Sequence, residues 1–412
     1  MATVVGKPPR VPAPKRRGER WGRGDRSPVA TWFWEIDRVL LALVTLLIFI
    51  GLIAVAAAAP AAAGRYSDAT HVMPARYYFW RQLMWTGVAV PVMIAVSMLP
   101  KETARRAALV GAVLFTLMLV MVPVLGGAAK NGAQRWIYFG PIQVQPAEFL
   151  KPMFAVAVAW LLSLNSKDQK LPMAPATGLL LAVIAVLLMK QPDFGQTVIF
   201  ALVWATMLMI SGVGLKWIGM LGGGAVAGLL LAYEFYSVAR TRIDKFLGGA
   251  DAHEVGGQVE SARATLTHGG FVGMGPGAGT AKFNLPEPHT DYIFSVIGEE
   301  FGLVACLAIA LIFLAVVVRV FLKLLHEDDR FLLLASAGLV SQFGLQALVN
   351  MAVNVQLAPS KGMTLPFISY GGSSMVALSL GFGLLLAFTR KNPYLTRSPY
   401  VVTTSVAWGR LR

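Results

Sequence analysis

The sequence predicts an all-α polytopic membrane protein: about ten transmembrane helices, with one large extracytoplasmic loop between the seventh and eighth spans. Three observations predict it. The 412 residues are 56% hydrophobic and only 14% charged, with a mean hydropathy of +0.63, whereas soluble domains carry about a quarter charged residues. Several apolar runs reach roughly 20 residues, enough for each to cross a hydrocarbon core of about 30 Å. Lys and Arg gather in the N-terminal tail and in short turns, as they do on the cytoplasmic side of multi-span proteins. The short alternating segments of a membrane β-barrel are absent.

The net charge of +15 does not call for nucleic acid, because Met1 to Arg38 alone holds nine Lys or Arg residues and the rest lie in loops. The single cysteine, Cys306, falls in a predicted span, so neither an intramolecular disulfide nor a cysteine metal cluster can form. The basic start followed by AAAAPAAAG resembles a signal peptide, but its apolar run is too long and an uncleaved first span is expected.

Residues 1–30, rich in Pro, Gly and basic residues, read as a disordered cytoplasmic tail. The membrane domain is expected over 31–392, with a second cytoplasmic tail at 393–412. Trp32, Phe33 and Trp34 sit where aromatic side chains anchor at an interface. Spans are predicted near 38–59, 82–99, 107–126, 146–164, 172–189, 196–212, 215–236, 292–322, 331–355 and 370–389. Both termini are then cytoplasmic, and the loops at 127–145, 190–195, 237–290 and 357–369 face the exterior. Arg65, Arg76 and Arg81 in the first exterior loop run against the charge rule, but the N-terminal tail is far more basic.

Polar groups in or beside spans are expensive and therefore functional candidates, with interhelical bonding as the plain alternative. Glu148 and Lys151, three apart, share one helix face and read equally as an internal ion pair or as the lining of a polar cavity. Arg135 offers a fork for a phosphate or an interfacial anchor. In KQPDFG, Asp193 can cap the sixth span and Lys190 can meet an anionic headgroup. Gln342, Gln346, Asn350 and Asn354 form one slanted stripe, read first as packing glue. PSKGMTLPFISYGGSS breaks the helix at membrane depth, tolerated only where protein or a watery cavity covers it; Lys361, Thr364, Ser369, Ser373 and Ser374 there suit an oxygen-rich anion. The segment HGGFVGMGPGAGTAKFN, with six glycines, lacks the strand–helix context of a nucleotide site and suggests close backbone packing or mobility.

The segment Leu285–Gly302 concentrates charge: Glu287, His289, Asp291, Glu299 and Glu300. Asp291 stands where loop becomes span. It can serve as a general base or as a carboxylate favoured by the helix dipole, and spacing alone does not separate it from Glu299 and Glu300.

Four stretches, NGAQRWI, QPDFG, LPEPHTDYIFSVIGEEFG and KGMTLPFISYGGSS, give the chain a resemblance to the SEDS family of FtsW/RodA-type peptidoglycan glycosyltransferases over about residues 35–392. The Lys-Gly-Met-Thr start of the last stretch and the basic tail resemble the cell-division branch more than the elongation branch. The resemblance implies a ten-span fold, septal polymerisation of lipid II into glycan strands, and Asp291, the aspartate of the family's HTD motif, as the catalytic base. His289, Glu148 and Lys151, Lys190, Asp193, Ser369 and Ser373 are then expected near the substrate, with Lys361, Arg135 and Lys151 candidates for its pyrophosphate. It also implies a divalent cation (Mg²⁺ or Mn²⁺), a class B penicillin-binding protein and other divisome membrane proteins as partners, and a place in the inner membrane at the septum. A lipid II flippase and a non-enzymatic scaffold are the alternatives.

Overall fold

The computed structural model describes residues 28–67, 72–126, 134–140, 142–164, 173–212, 257–359 and 362–390, with isolated positions between 219 and 244. Its helices are α1 (Pro28–Glu35), α2 (Arg38–Arg65), α3 (Tyr77–Ser97), α4 (Lys101–Leu125), α5 (Pro146–Leu164), α6 (Met173–Lys190), α7 (Phe194–Ile210), α8 (Gly257–His268), α9 (Ile293–Leu324), α10 (Arg330–Asn354) and α11 (Gly372–Thr389). Eight of them, α2 to α6 and α9 to α11, are long and apolar enough to cross a membrane, and α7 is a shorter apolar helix. Nine predicted spans thus fall on helices; the seventh, at 215–236, lies outside the described residues apart from isolated positions, as do the tails at 1–27 and 391–412.

Asp37–Thr389 forms one compact unit. Pro28–Ile36 and Arg390 belong to a second, within which Arg390 Nε lies 3.2 Å from Glu35 Oε2. In the main unit α5, α10 and α11 are buried over most of their length, whereas α4 and α6 expose most of theirs. The central helices are enclosed on most sides, and the polar side chains they carry are buried within the bundle.

Carboxylates set the helix starts. Asp37 caps α2 by accepting from Val39 and Leu40 N–H at 3.0 and 3.2 Å. Asp329 does the same for α10 with Phe331 and Leu332. Asp37 also meets Arg319 Nε at 3.1 Å and Lys323 Nζ at 2.7 Å, fixing the start of α2 beside the end of α9.

Two features depart from the sequence reading. A hairpin, β1 (Ile137–Phe139) against β2 (Ile142–Val144), occupies the loop before α5, in antiparallel register with Tyr138 opposite Gln143. The loop at 237–290 contains α8 and a 3₁₀ turn at Ala281–Asn284. The sequence GQVESARATLTH carries no strong apolar stripe, and α8 is recognisable only from its packing on α9.

The eighth predicted span is also broken where continuity is expected. At Gly302 the backbone of α9 takes φ 79° and ψ 179°, a region open essentially to glycine alone. The glycine-rich segment after α8 fills the break. Met274 and Gly275 N–H donate to Glu299 and Glu300 carbonyls at 2.9 and 3.0 Å. Leu303 and Val304 N–H donate to Gly270 and Phe271 carbonyls at 3.0 and 3.3 Å. Backbone groups freed by the kink are thereby satisfied, which burial demands.

Candidate active site

The site is built at the end of the unit opposite the Asp37–Lys323 contact, from three converging pieces: the loop entering α9, the last turns of α10, and the irregular segment 362–371. Three successive carbonyls of the loop are captured. His289 O accepts from Tyr370 N–H at 2.8 Å, Thr290 O from Ser369 Oγ at 2.6 Å, and Asp291 O from Asn350 and Asn354 Nδ2 at 3.0 and 3.1 Å. The Ser369 hydroxyl also accepts from Leu365 N–H at 2.7 Å, so it is engaged on both sides. Asp291 itself is half-buried; a Cβ added to Gly362 would lie 3.5 Å from its Oδ2.

Upstream, Glu287 adopts φ 52° and its carboxylate accepts from Tyr66 Oη and from Thr290 Oγ1 at 3.0 Å. Burial, then this bond, raises the Tyr66 phenol above its ordinary value. His289 is 3% exposed, with ring centroids of Tyr78, Tyr370 and Tyr66 at 4.1, 5.2 and 6.3 Å. Burial lowers its pKa from 6.5 to about 4 against the opposing pull of Glu287, so the imidazole stays neutral among the three tyrosines at ordinary pH.

Glu299 and Glu300 are fully buried and engaged elsewhere. Glu299 accepts from Ala281 and Lys282 N–H at 2.7 and 2.9 Å and faces His268 Nδ1 at 3.0 Å. Glu300 accepts from Gly277 N–H and pairs with the buried Lys282, whose Nζ reaches Ala57 O of α2 at 3.0 Å. Both carboxylates anchor the glycine segment to α9, which separates them from Asp291 as the spacing could not.

A second polar group lies deeper. Lys151 Nζ donates to Glu148 Oε1 at 2.9 Å and to Gln346 Oε1 at 2.8 Å. Gln196 Nε2 donates to the same carboxylate at 2.6 Å, and Ser374 Oγ reaches its Oε2 at 3.2 Å. Arg135 turns into the connection between α6 and α7: it donates to Gln191 and Pro192 carbonyls and lies 3.6 Å from Asp193 Oδ2. Asp193 caps α7 through Gln196 N–H at 3.4 Å; burial raises its pKa and Arg135 opposes the rise. Lys190 is exposed at the end of α6. Ser373 is buried, its hydroxyl without a partner among the described residues. Lys361 lies outside the described residues.

The structure therefore ties the backbone of residues 289–291 to Ser369 and Tyr370, links Glu148 and Lys151 through Gln196 to Asp193 with Arg135 beside it, and leaves Lys190 exposed at the end of α6. Among the described residues no three His, Cys, Asp or Glu side chains converge to hold a metal ion. A cation cage made of protein groups alone is not built there.

Residues 37–394 match the sequence profile of the FtsW/RodA/SpoVE family of cell cycle proteins. The chain belongs to that family. Among members of the FtsW/RodA/SpoVE family, a Caulobacter vibrioides protein described as a probable peptidoglycan glycosyltransferase FtsW is 39% identical over 90% of this chain and 94% of its own. A Trichlorobacter lovleyi protein of the same description is 35% identical over 85% and 92%. A chain from a peptidoglycan synthase complex superposes with a TM-score of 0.70 at 24% identity, covering 86% of this chain and 97% of that one. The rod shape determining protein RodA of Thermus thermophilus gives 0.62 at 24% identity, over 86% and 96%. These two likenesses show the shared fold.

Sequence reasoning missed Asn350 and Asn354 as holders of Asp291, reading the amide stripe as packing. Their spacing was visible; the bond to a carbonyl 59 and 63 residues away was not.

Proposed function

We propose that this chain is a peptidoglycan glycosyltransferase that polymerises lipid II into glycan strands during septal wall synthesis, with Asp291 as general base. The observation that carries the assignment of Asp291 is the capture of three successive carbonyls at 289–291, which fixes one half-buried carboxylate at the start of α9. Family membership and the FtsW relatives supply the reaction class.

In the proposed step Asp291 takes the proton from the 4-hydroxyl of the acceptor N-acetylglucosamine. That oxygen forms a bond to C1 of the donor N-acetylmuramic acid with inversion. The C1–O bond to the diphosphate breaks, and undecaprenyl diphosphate leaves with the electron pair. Of the cations named for the diphosphate, Arg135 and Lys151 are engaged by internal acceptors, which favours Lys361, adjacent in sequence to Gly362. Mg²⁺ characteristically binds through one or two carboxylates and substrate phosphates, and in that form a divalent cation belongs to the proposal.

The proposal includes a class B penicillin-binding protein and other divisome membrane proteins as partners. It places the chain in the inner membrane at the septum with both termini cytoplasmic, as the paired Asp37, Arg319 and Lys323 at one end of the bundle favour. The test is purified protein with its partner, labelled lipid II and a divalent cation, comparing wild type with Asp291→Asn. Loss of polymer by at least about 100-fold is expected, the upper part of what one acid–base group contributes being about 10⁴. Normal polymerisation by the variant sinks the base assignment. Failure of both forms to polymerise, with scrambling of lipid II in liposomes by both, favours the flippase.

A further inference from the structure

We infer that the buried Glu148–Lys151 pair is a positioning device for Asp291, acting through Gln346 and Thr364, and is not a contact for the substrate's diphosphate. The inference rests on the reading of Asp291 as the base.

The two charges are 5% and 2% exposed, and both are bound into one network. Lys151 Nζ donates to Gln346 Oε1 at 2.8 Å. With its oxygen held there, the Gln346 amide must present Nε2 on the other side, and Nε2 donates to Thr364 O at 3.1 Å and approaches Thr364 Oγ1 at 3.3 Å. The carboxylate reaches the same residue by another route: Glu148 Oε2 accepts from Ser374 Oγ at 3.2 Å, and Ser374 Oγ pairs with Thr364 Oγ1 at 3.0 Å. Thr364 is thus held by the ammonium through one residue and by the carboxylate through another.

The next two residues carry this placement to the base. Asn350 Nδ2 donates to Met363 O at 2.6 Å and to Asp291 O at 3.0 Å, joining the two strands of chain. A Cβ at Gly362 would lie 3.5 Å from Asp291 Oδ2. The segment Gly362–Thr364 is irregular, with no helix or strand hydrogen bonds to define it, so its place is set by side chains. A buried, hydrogen-bonded acid–base pair suits that role, because in a low-dielectric interior its hydrogen bonds are strong and directional. With Lys151 2% exposed, a diphosphate has no open path to its ammonium and would have to part the packed residues that hold the network.

The roles predict different kinetics. A diphosphate contact acts on substrate binding, whereas a positioning residue acts on the turnover of bound substrate, where a displacement of about 1 Å can cost about 100-fold. Lipid II polymerisation is measured for wild type, Gln346→Leu, Ser374→Ala and the charge-neutral double variant Glu148→Gln/Lys151→Met, with kcat and KM determined separately and melting in detergent followed in parallel. The double variant avoids leaving one buried charge unpaired. Ser374→Ala removes a single hydroxyl and serves where the larger changes fail to fold. Gln346→Leu and the double variant are expected to lose about 10- to 100-fold in kcat with KM within about twofold of wild type, and Ser374→Ala to shift in the same sense by less. A raised KM with kcat retained in the double variant, or wild-type kcat in Gln346→Leu and Ser374→Ala, overturns the inference. A wild-type protein that makes no polymer overturns the parent reading and the inference with it.

Discussion

Replacing Gly302 with alanine should uncouple the segment 269–284 from α9. At φ 79° and ψ 179° an L-residue carries a backbone cost of about 1–3 kcal/mol. The new methyl has no room either: its Cβ would overlap Phe271 O and lie 2.5 Å from Gly273 N and from Val272 C. Either α9 straightens or the segment withdraws. Withdrawal breaks the four backbone bonds that join Met274, Gly275, Leu303 and Val304 to the other strand, at a net of about 0.5–1.5 kcal/mol each. Together the loss is about 3–9 kcal/mol, comparable with the whole stability of many domains. The measurement is thermal unfolding in detergent with limited proteolysis. Gly302→Ala should melt earlier and become cleavable between residues 269 and 284. A variant with wild-type melting and an uncut segment would refute the reasoning, because no accommodating conformation of an alanine at this φ and ψ is available.

Three other outcomes follow from the same geometry. Lys282→Met leaves Glu300 buried without its cation, and should destabilise by about 3–5 kcal/mol, whereas Lys282→Met/Glu300→Gln should recover much of it in the same melting assay. For His289 the folded pKa of about 4 lies below the ordinary 6.5, so the unfolded chain binds the proton first as pH falls. Stability from this group is full above about 6.5 and declines toward 4, by roughly 3 kcal/mol at most from 1.36 kcal/mol per unit; melting curves between pH 7 and 4.5 should flatten in His289→Phe relative to wild type. Arg135→Ala should loosen the α6–α7 connection, leaving Asp193 buried without the nearby guanidinium, and should cost about 1–3 kcal/mol, while Arg135→Lys recovers only part because one ammonium cannot reproduce the fork that meets Gln191 O and Pro192 O.

Apolar length made most of the spans legible, because a run of about 20 residues that must cross hydrocarbon leaves little choice of structure. The helix in the long loop, α8, was not legible: its residues are polar, and its place is set by packing on α9. The break in α9 left only a weak trace, the glycines at 298 and 302 around Glu299 and Glu300, since a helix with a kink and one without have the same composition. The site divides in the same way. Glu148 and Lys151 could be paired from their spacing on one helix. That Gln346, nearly 200 residues away in sequence, completes the pair depends on α5 packing against α10, which no local pattern encodes.

The locked geometry around Asp291 also bears on the choice between polymerase and flippase. Alternating access rocks one group of helices against another around a site near the bilayer midplane, commonly through discontinuous helices whose unwound backbone meets the cargo. A discontinuous helix among the described residues is α9, and its unwound backbone at Gly302 meets the chain's own residues 270–275 through four hydrogen bonds, so each of those groups already has a partner within the chain. The 289–291 carbonyls are likewise bound to α10 and to the segment before α11. A site held this tightly at one end of the bundle suits a reaction that needs a fixed base better than a passage that needs a moving gate, and the energetic logic of the fold sides with the transferase.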